Sequence, residues 1–186
     1  MASSVGHSIC GIACYLAARR LNPDIAVFHP AKGALLFIFL ANLPDGDLLL
    51  GYLFASNPLQ YHWGFTHTVW FILLAGILIG GVMKATERFS VFAWSMLVFA
   101  VASHVAIDLI TGLQWGMHPS YGLKLFWPVF DVRITSPISL FLGVKHELSY
   151  FLSGHNLLAV MIDIFVFSPV VMALTLTSKK RRGACR

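Results

Sequence analysis

The chain has 186 residues, of which 58% are hydrophobic and only 11% are charged, and its mean hydropathy is +0.76. Because soluble domains carry about 25% charged residues, this composition excludes an ordinary water-soluble fold and indicates one domain solvated by lipid. The net charge of +5 does not indicate nucleic-acid binding, since the basic residues lie at the ends of apolar segments rather than among aromatic side chains.

Five apolar segments predict an all-α bundle of about five transmembrane helices, because a helix needs roughly 20 residues to cross a bilayer. In the second segment, Pro44 should end the helix and Gly46 should permit a tight turn before the helix resumes. Thr66 is a candidate N-cap for the third helix. The segments are 5–18, 34–43 resuming as 48–55, 68–83, 90–110 and 156–177.

The segment 112–155 is rich in Gly, Pro, Ser, Trp and Tyr and predicts a long loop after the fourth helix. We therefore expect a single integral membrane domain, 1–186, that ends in a basic tail, 179–186. The sequence shows no internal repeat of the kind that would indicate a transporter built from two related halves.

The distribution of Lys and Arg predicts the orientation in the membrane. Five crossings sort the helix ends onto two faces, and only Lys124, Arg133 and Lys145 of the 13 basic residues fall on one of them. Cytoplasmic loops carry the excess of Lys and Arg, so this face is predicted to be external. The N-terminus should then lie outside and the C-terminus in the cytoplasm.

Imidazole and carboxylate side chains from four predicted helices should meet at the external face. His104 and Asp108 are four residues apart and stack one turn apart on a helix. A carboxylate such as Asp108 in an apolar segment costs roughly 2.5–3.5 kcal/mol on insertion scales, which a divalent cation would offset. The pattern predicts a metal site formed by His7, Asp45, Asp47, His62, His67, His104 and Asp108.

Histidine and carboxylate ligands favour zinc, with manganese or iron as alternatives. Seven ligands exceed the four of one tetrahedral zinc, so two or three ions are plausible. Asp163, about two turns into the fifth helix, is a candidate for pairing helices or for supporting a ligand. Five further residues could complete the shell of a second ion, although each is more simply interpreted as a solvated polar residue of the loop. They are His118, Asp131, His146, Glu147 and His155.

These motifs, over roughly residues 6–128, resemble the YdjM-like family of bacterial membrane-bound metal-dependent hydrolases. That family is similar in fold to zinc-dependent phospholipase C and to single-strand nucleases, which implies a helical scaffold with a His/Asp zinc cluster. The chain differs from the family pattern at Trp63, where the family has Arg; if that Arg contacts phosphate, Arg133 or Lys124 would replace it. The matching blocks are residues 6–7, 43–47, 62–67, 103–108 and 125–128.

The leading hypothesis is a metal-dependent hydrolase that cleaves a phosphoester at the outer face of a bacterial cytoplasmic membrane. Asp45 or Asp47 would bridge ions or accept the proton of the attacking water. A lipid or lipid-linked substrate suits this location, although the aromatic residues predicted at the outer interface also fit a simple aromatic belt. These residues are Tyr52, Tyr61, Trp63, Trp115, Tyr121, Trp127 and Tyr150.

Two alternatives remain open from the sequence. A non-catalytic metal-binding protein, structural or sensing, would have a closed coordination shell. An ion or proton transporter would need ionisable residues near the bilayer midplane, and Asp163 alone comes near that position. The sequence does not determine the oligomeric state.

Overall fold

A computed structural model describes residues 1–22, 29–55, 59–146 and 148–184, with the side chains of Leu148 and of residues 177–184 left out. Glu147 and the side chains of the predicted basic tail lie outside the described residues. The fold is a helical bundle, which confirms the predicted class. Its helices are α1 (Ser4–Leu21), α2 (Pro30–Asn42), α3 (Gly46–Phe54), α4 (Val69–Ala85), α5 (Val91–Leu109) and α6 (Gly154–Ala184).

Among the described residues, three helical stretches are long and apolar enough to cross a membrane: Pro30–Phe54, Val91–Leu109 and Gly154–Leu176. The third predicted crossing, α4, is apolar but shorter than all three, at 17 residues. The first predicted crossing, α1, has the length of a span but not the hydropathy. The expected bundle is therefore present, although its helices are unequal as membrane spans.

Helix α1 lies at the centre of the bundle, where it contacts α2, α5 and α6. Its buried face consists largely of small residues, including Gly6, Cys10, Gly11, Cys14 and Ala18. Small side chains let helix backbones approach closely, which is how membrane helices pack when lipid is as apolar as the helix surface. The low hydropathy of α1 comes instead from its polar residues, which include His7, Arg19 and Arg20.

The approach of α1 to α2 is closest at Gly11. A Cβ atom placed on Gly11 would lie 2.7 Å from the carbonyl oxygen of Phe37 and 3.0 Å from the Cα of Ile38, both backbone atoms. The backbone cannot move aside as a side chain would. Gly11 therefore sets the spacing of the two helices.

Substituting Gly11 with alanine is expected to destabilise the bundle by about 1–3 kcal/mol, the usual cost of overpacking a filled interior. Thermal unfolding of the purified protein in detergent measures the loss. The matched control is Gly81→Ala in α4, where an added Cβ meets nothing within 4 Å in the described part of the chain. That variant should be neutral or slightly stabilising, and equal losses in both variants would contradict the packing explanation.

The predicted break in the second segment is smaller than expected. Residues Leu43–Asp45 form one turn of 3₁₀-helix, and Gly46 has φ −57, an ordinary helical value. Pro44 has no N–H to donate to a helix. The Gly46 N–H instead donates to the carbonyls of Leu43 and Pro44, which closes the tighter 3₁₀ turn. Helix α2 ends at Asn42, which confirms the predicted end of the helix at Pro44. The tight turn predicted at Gly46 was wrong, because Gly46 is helical, and the two helices form one stretch of 25 residues.

The predicted cap of the third helix was also wrong by two residues. Helix α4 begins after Thr68, whose hydroxyl accepts a hydrogen bond from the Phe71 N–H at 3.3 Å. Thr66 lies in a preceding 3₁₀ turn, Phe65–His67. Its hydroxyl therefore remains available for another partner.

The long segment after α5 folds back onto the bundle, as a loop with little regular structure. Two short strands, β1 (Thr111–Gly112) and β2 (Phe141–Leu142), pair in parallel and hold its two ends together. Leu123 and Phe141 within the loop are buried. The loop covers the end of the bundle at which α5 ends and α6 begins.

Candidate metal centre

The first turn of α1 places His7 in the interior. Ser3 caps this helix, because its hydroxyl accepts a hydrogen bond from the Gly6 N–H at 3.0 Å. The Ser3 N–H and hydroxyl both donate to Oδ2 of Asp163 in α6, the N–H at 2.9 Å. His7, one turn further on, is fully buried.

The last turns of α5 supply His104 and Asp108, both buried. The Nδ1 of His104 lies 2.7 Å from the carbonyl oxygen of Ala41. A carbonyl only accepts, so Nδ1 carries the proton and Nε2 is left to bind a cation. Asp108 is held by the Ala2 N–H, which donates to its Oδ1 at 3.0 Å.

His7, His104 and Asp108 form the first of three groups whose ligand atoms lie within 4.8 Å of one another. The rings of His7 and His104 stack with centroids 3.7 Å apart. The Nε2 of His7 is 3.3 Å from Oδ1 of Asp108. This group lies between α1 and α5.

The second group consists of Asp45, His67 and His104. The Nε2 of His104 lies 3.2 Å from Oδ1 of Asp45 and 3.3 Å from Nε2 of His67. The same nitrogen of His67 is 3.5 Å from Oδ2 of Asp108. The first and second groups therefore share His104 and adjoin each other.

The third group consists of Asp47, His62 and His67. The two oxygens of Asp47 are both engaged, since Oδ1 lies 2.9 Å from Nδ1 of His62 and Oδ2 accepts a hydrogen bond from the Thr66 hydroxyl at 2.6 Å. The Nδ1 of His67 is 3.4 Å from Oδ2. All seven predicted ligands are thus brought together, in one chain of three adjoining groups.

The cluster contains more buried polar atoms than its own hydrogen bonds satisfy. Within the part of the chain that the structure describes, both ring nitrogens of His7, both carboxylate oxygens of Asp45 and Oδ2 of Asp108 make no hydrogen bond. A buried polar group without a partner costs about 1–3 kcal/mol. Several such acceptors around one point suit a divalent cation of the zinc type, whose ligands are imidazole nitrogen and carboxylate oxygen.

The carboxylates of the cluster also shift the pKa of His67, which lies outside the spanning helices. Burial lowers the pKa of His67, but the nearby carboxylates of Asp108, Asp45 and Asp47 outweigh burial and hold that pKa well above its usual value. A cation that binds there must displace this proton, so metal affinity should fall as the pH falls.

The additional candidates divide into those beside the cluster and those away from it. Asp163 is fully buried next to α1, and His146 has its ring centroid 5.5 Å from that of His62. Burial, followed by neighbouring positive charge, lowers the pKa of His146 to about 4, so its ring is neutral at pH 7. None of the described additional candidates belongs to the three groups defined above, here called metal-type groups. The candidates away from the cluster are His118, Asp131 and His155.

Each of these three has a simpler place in the loop. His118 is exposed, the Nε2 of His155 donates to the Gly143 carbonyl at 2.8 Å, and Asp131 pairs with Lys124 at 2.5 Å. Arg133 donates to the carbonyls of Tyr121 and Gly122, at 3.1 and 2.9 Å. Lys124 and Arg133, expected to replace the family's Arg, are therefore both engaged within the loop.

Sequence reasoning did not anticipate the conformation of Trp63. Its φ is +60, in the left-handed region that a bulky side chain rarely adopts. Its indole Nε1 is buried and has no hydrogen-bond partner within the described ranges. The sequence marked Trp63 only as a departure from the family's Arg, which does not predict its backbone conformation.

Comparison with known proteins adds one result. A family model described as YdjM inner membrane protein matches residues 1–183. No curated protein and no solved structure matches the chain.

Proposed function

The chain belongs to the YdjM inner membrane protein family, and from this premise we propose a function for its cluster of histidines and aspartates. The protein is a membrane-embedded, metal-dependent hydrolase that cleaves a phosphoester of a lipid or lipid-linked substrate. Its metal is zinc, as two or three ions. The reaction takes place at the external face of a bacterial cytoplasmic membrane.

One observation carries this proposal: seven imidazoles and carboxylates, all buried except the half-buried Asp45, converge from separate parts of the chain, and several of their atoms lack partners in the described structure. Such groups are expensive in a membrane protein and mark functional sites by default. Adjoining groups that share His67 and His104 suit a small ion cluster. Such a cluster is typical of enzymes that transfer or hydrolyse phosphoryl groups.

When bound, zinc would lower the pKa of a coordinated water to about 7 and so supply hydroxide at neutral pH. The first and second groups would hold the metal. Asp45 is the better candidate for accepting the water's proton, because both of its oxygens are buried and lack hydrogen-bond partners among the described residues. Asp47 instead orients His62, since its oxygens already bind that ring and Thr66.

Exposed aromatic side chains near the cluster support a lipid-linked substrate. Tyr61, Phe65 and Trp127 are each about 40–45% exposed. Tyr61 directly precedes His62, and Phe65 lies between His62 and His67. Trp70 ties this segment to the loop, because its indole donates to the Phe126 carbonyl at 3.3 Å. Aromatic side chains at the polar boundary of a membrane place a site at the depth of lipid headgroups.

The predicted orientation supports an external site. The cluster lies where α1 begins, α2 ends and α5 ends, and the loop that covers it carries few of the basic residues. The face with the excess of Lys and Arg is assigned to the cytoplasm.

A second candidate function has one observation in its favour. His7 and His104 have no exposed surface and Asp108 is 2% exposed, as in a closed structural metal site. The protein would then bind metal without catalysis, as a structural or sensing subunit.

The hydrolase and the non-catalytic metal-binding protein differ in whether the bound metal supports hydrolysis of a substrate. The protein, purified in detergent, is analysed for bound metal and assayed on phospholipids and isoprenoid phosphates, with and without a chelator. We expect zinc in the protein and hydrolysis that the chelator abolishes and added zinc restores. Bound zinc with no chelator-sensitive turnover on this panel would support the non-catalytic function, and a metal-free protein would refute both.

A further inference from the structure

The surroundings of His62 contain polar atoms that the metal-type groups do not use. Its Nδ1 faces Asp47 at 2.9 Å, so its Nε2 lies on the opposite edge of the ring. This Nε2 is buried and has no hydrogen-bond partner in the described structure. One ring nitrogen of His62 therefore contacts the cluster, and the other faces away from Asp47 without a partner.

Two further rings flank His62, each with an unpartnered nitrogen. The centroid of Trp63 lies 5.1 Å from that of His62, and the centroid of His146 lies 5.5 Å from it. Within the described ranges, Nε1 of Trp63 and Nε2 of His146 are buried and make no hydrogen bond. The indole nitrogen is a donor only, so its complement is an acceptor oxygen.

The backbone of Trp63 is arranged to hold the indole in this place. The residue has φ +60 inside a tight turn closed by the Gly64 N–H, which donates to the Tyr61 carbonyl at 3.2 Å. The ring packs between His62 and Tyr121, whose centroid is 5.7 Å away. A left-handed conformation for a bulky residue persists only where its surroundings enforce it, and such outliers cluster at ligand sites.

We propose that Trp63 and His146 form a subsite for a phosphoryl group beside the metal cluster, with the Trp63 indole N–H donating a hydrogen bond to a non-bridging oxygen. This inference rests on the proposed phosphoester substrate. It gives Trp63 the role of a substrate-binding residue. Neither Lys124 nor Arg133 serves here, since Asp131 and backbone carbonyls hold them in the loop.

A neutral donor in a buried site is well suited to an anion that a metal cluster already attracts. The cluster supplies the positive charge, so the subsite needs only directional donors. Hydrogen bonds to ionised oxygens are roughly twice as strong as neutral ones. Loss of the indole N–H should therefore weaken phosphate binding about tenfold, within the usual range for one such bond.

The test uses inorganic phosphate as the probe and the full chain in detergent, both as purified and after zinc loading. The protein has five tryptophans, and labelling them with ¹⁵N gives one indole N–H signal for each. The signal that disappears in Trp63→Phe belongs to Trp63. We expect this signal to shift on phosphate titration, and the dissociation constant for phosphate to rise about tenfold in Trp63→Phe.

The matched control is Trp115→Phe. Its indole N–H already donates to the Leu140 carbonyl at 3.0 Å in the same loop, so phosphate affinity should not change. His146→Phe, which keeps a ring in place, should weaken phosphate binding as Trp63→Phe does, with metal content unchanged.

The outcomes separate this inference from the proposed function. Phosphate binding that leaves the Trp63 signal unmoved, or that is as tight in Trp63→Phe as in the parent, overturns the subsite even if the protein is an active hydrolase. Failure to bind phosphate in both forms also overturns it. A protein that binds zinc and phosphate through Trp63 but hydrolyses nothing refutes the hydrolase and leaves the subsite intact.

Discussion

Replacing His104 with alanine should remove bound zinc from the protein and abolish chelator-sensitive hydrolysis. His104 belongs to two of the three metal-type groups, and its Nε2 lies within 3.3 Å of both Asp45 and His67. Loss of a residue that only supports a ligand costs about 10–100-fold in metal affinity. Loss of a ligand shared by two groups should cost at least a hundredfold.

Metal analysis after dialysis against a weak chelator measures this change. The control is His118→Ala, since His118 is exposed in the loop and joins no metal-type group within the described ranges. Because His104→Ala leaves the Ala41 carbonyl without its donor, His104→Gln and size-exclusion chromatography distinguish ligand loss from misfolding. Unchanged zinc stoichiometry in a folded His104 variant would rule out this centre.

Asp45→Asn should retain the fold but lose turnover by about 10²–10⁴-fold, the usual contribution of a general base. The side chain keeps its size, and Asp45 makes no hydrogen bond among described residues that the amide would break. The amide cannot accept the water's proton, and it removes one negative charge from the second group. Zinc affinity should therefore fall as well, by less than in His104→Ala.

The rate of hydrolysis by zinc-saturated protein separates these two effects. Asp131→Asn is the matched control, because that carboxylate is 66% exposed and pairs with Lys124. The turnover of Asp47→Asn should lie between those of Asp45→Asn and Asp131→Asn. We expect a loss of about 10–100-fold, as for a residue that orients a ligand. If Asp45→Asn keeps nearly full turnover when saturated with zinc, the proton acceptor is a different group.

The sequence predicted the helices well because lipid imposes length and apolarity on every span. The two errors in detail concern Gly46 and Thr66. Both arose from reading a residue's local preference alone, whereas hydrogen bonds at Gly46 and Thr68 decided the outcome. Such choices depend on neighbouring backbone geometry that propensity does not contain.

The convergence of the candidate ligands could also be predicted, because alternating helices return every second end to the same face. The division of these ligands into three adjoining groups could not be predicted. That Asp47 is occupied by His62 and Thr66 while Asp45 is free of hydrogen bonds in the described chain depends on side-chain directions within one turn. The unpartnered indole of Trp63 likewise follows from a φ value that no pattern of residue types announces.

The link between Ser3 and Asp163 joins residues 160 positions apart, and this span constrains how the protein is made. The first helix leaves the ribosome long before its carboxylate partner has been synthesised. That helix is also less apolar than the candidate membrane spans. The hydrogen bond between Ser3 and Asp163 can therefore form only after the final span has been translated, so this contact closes the bundle late in synthesis.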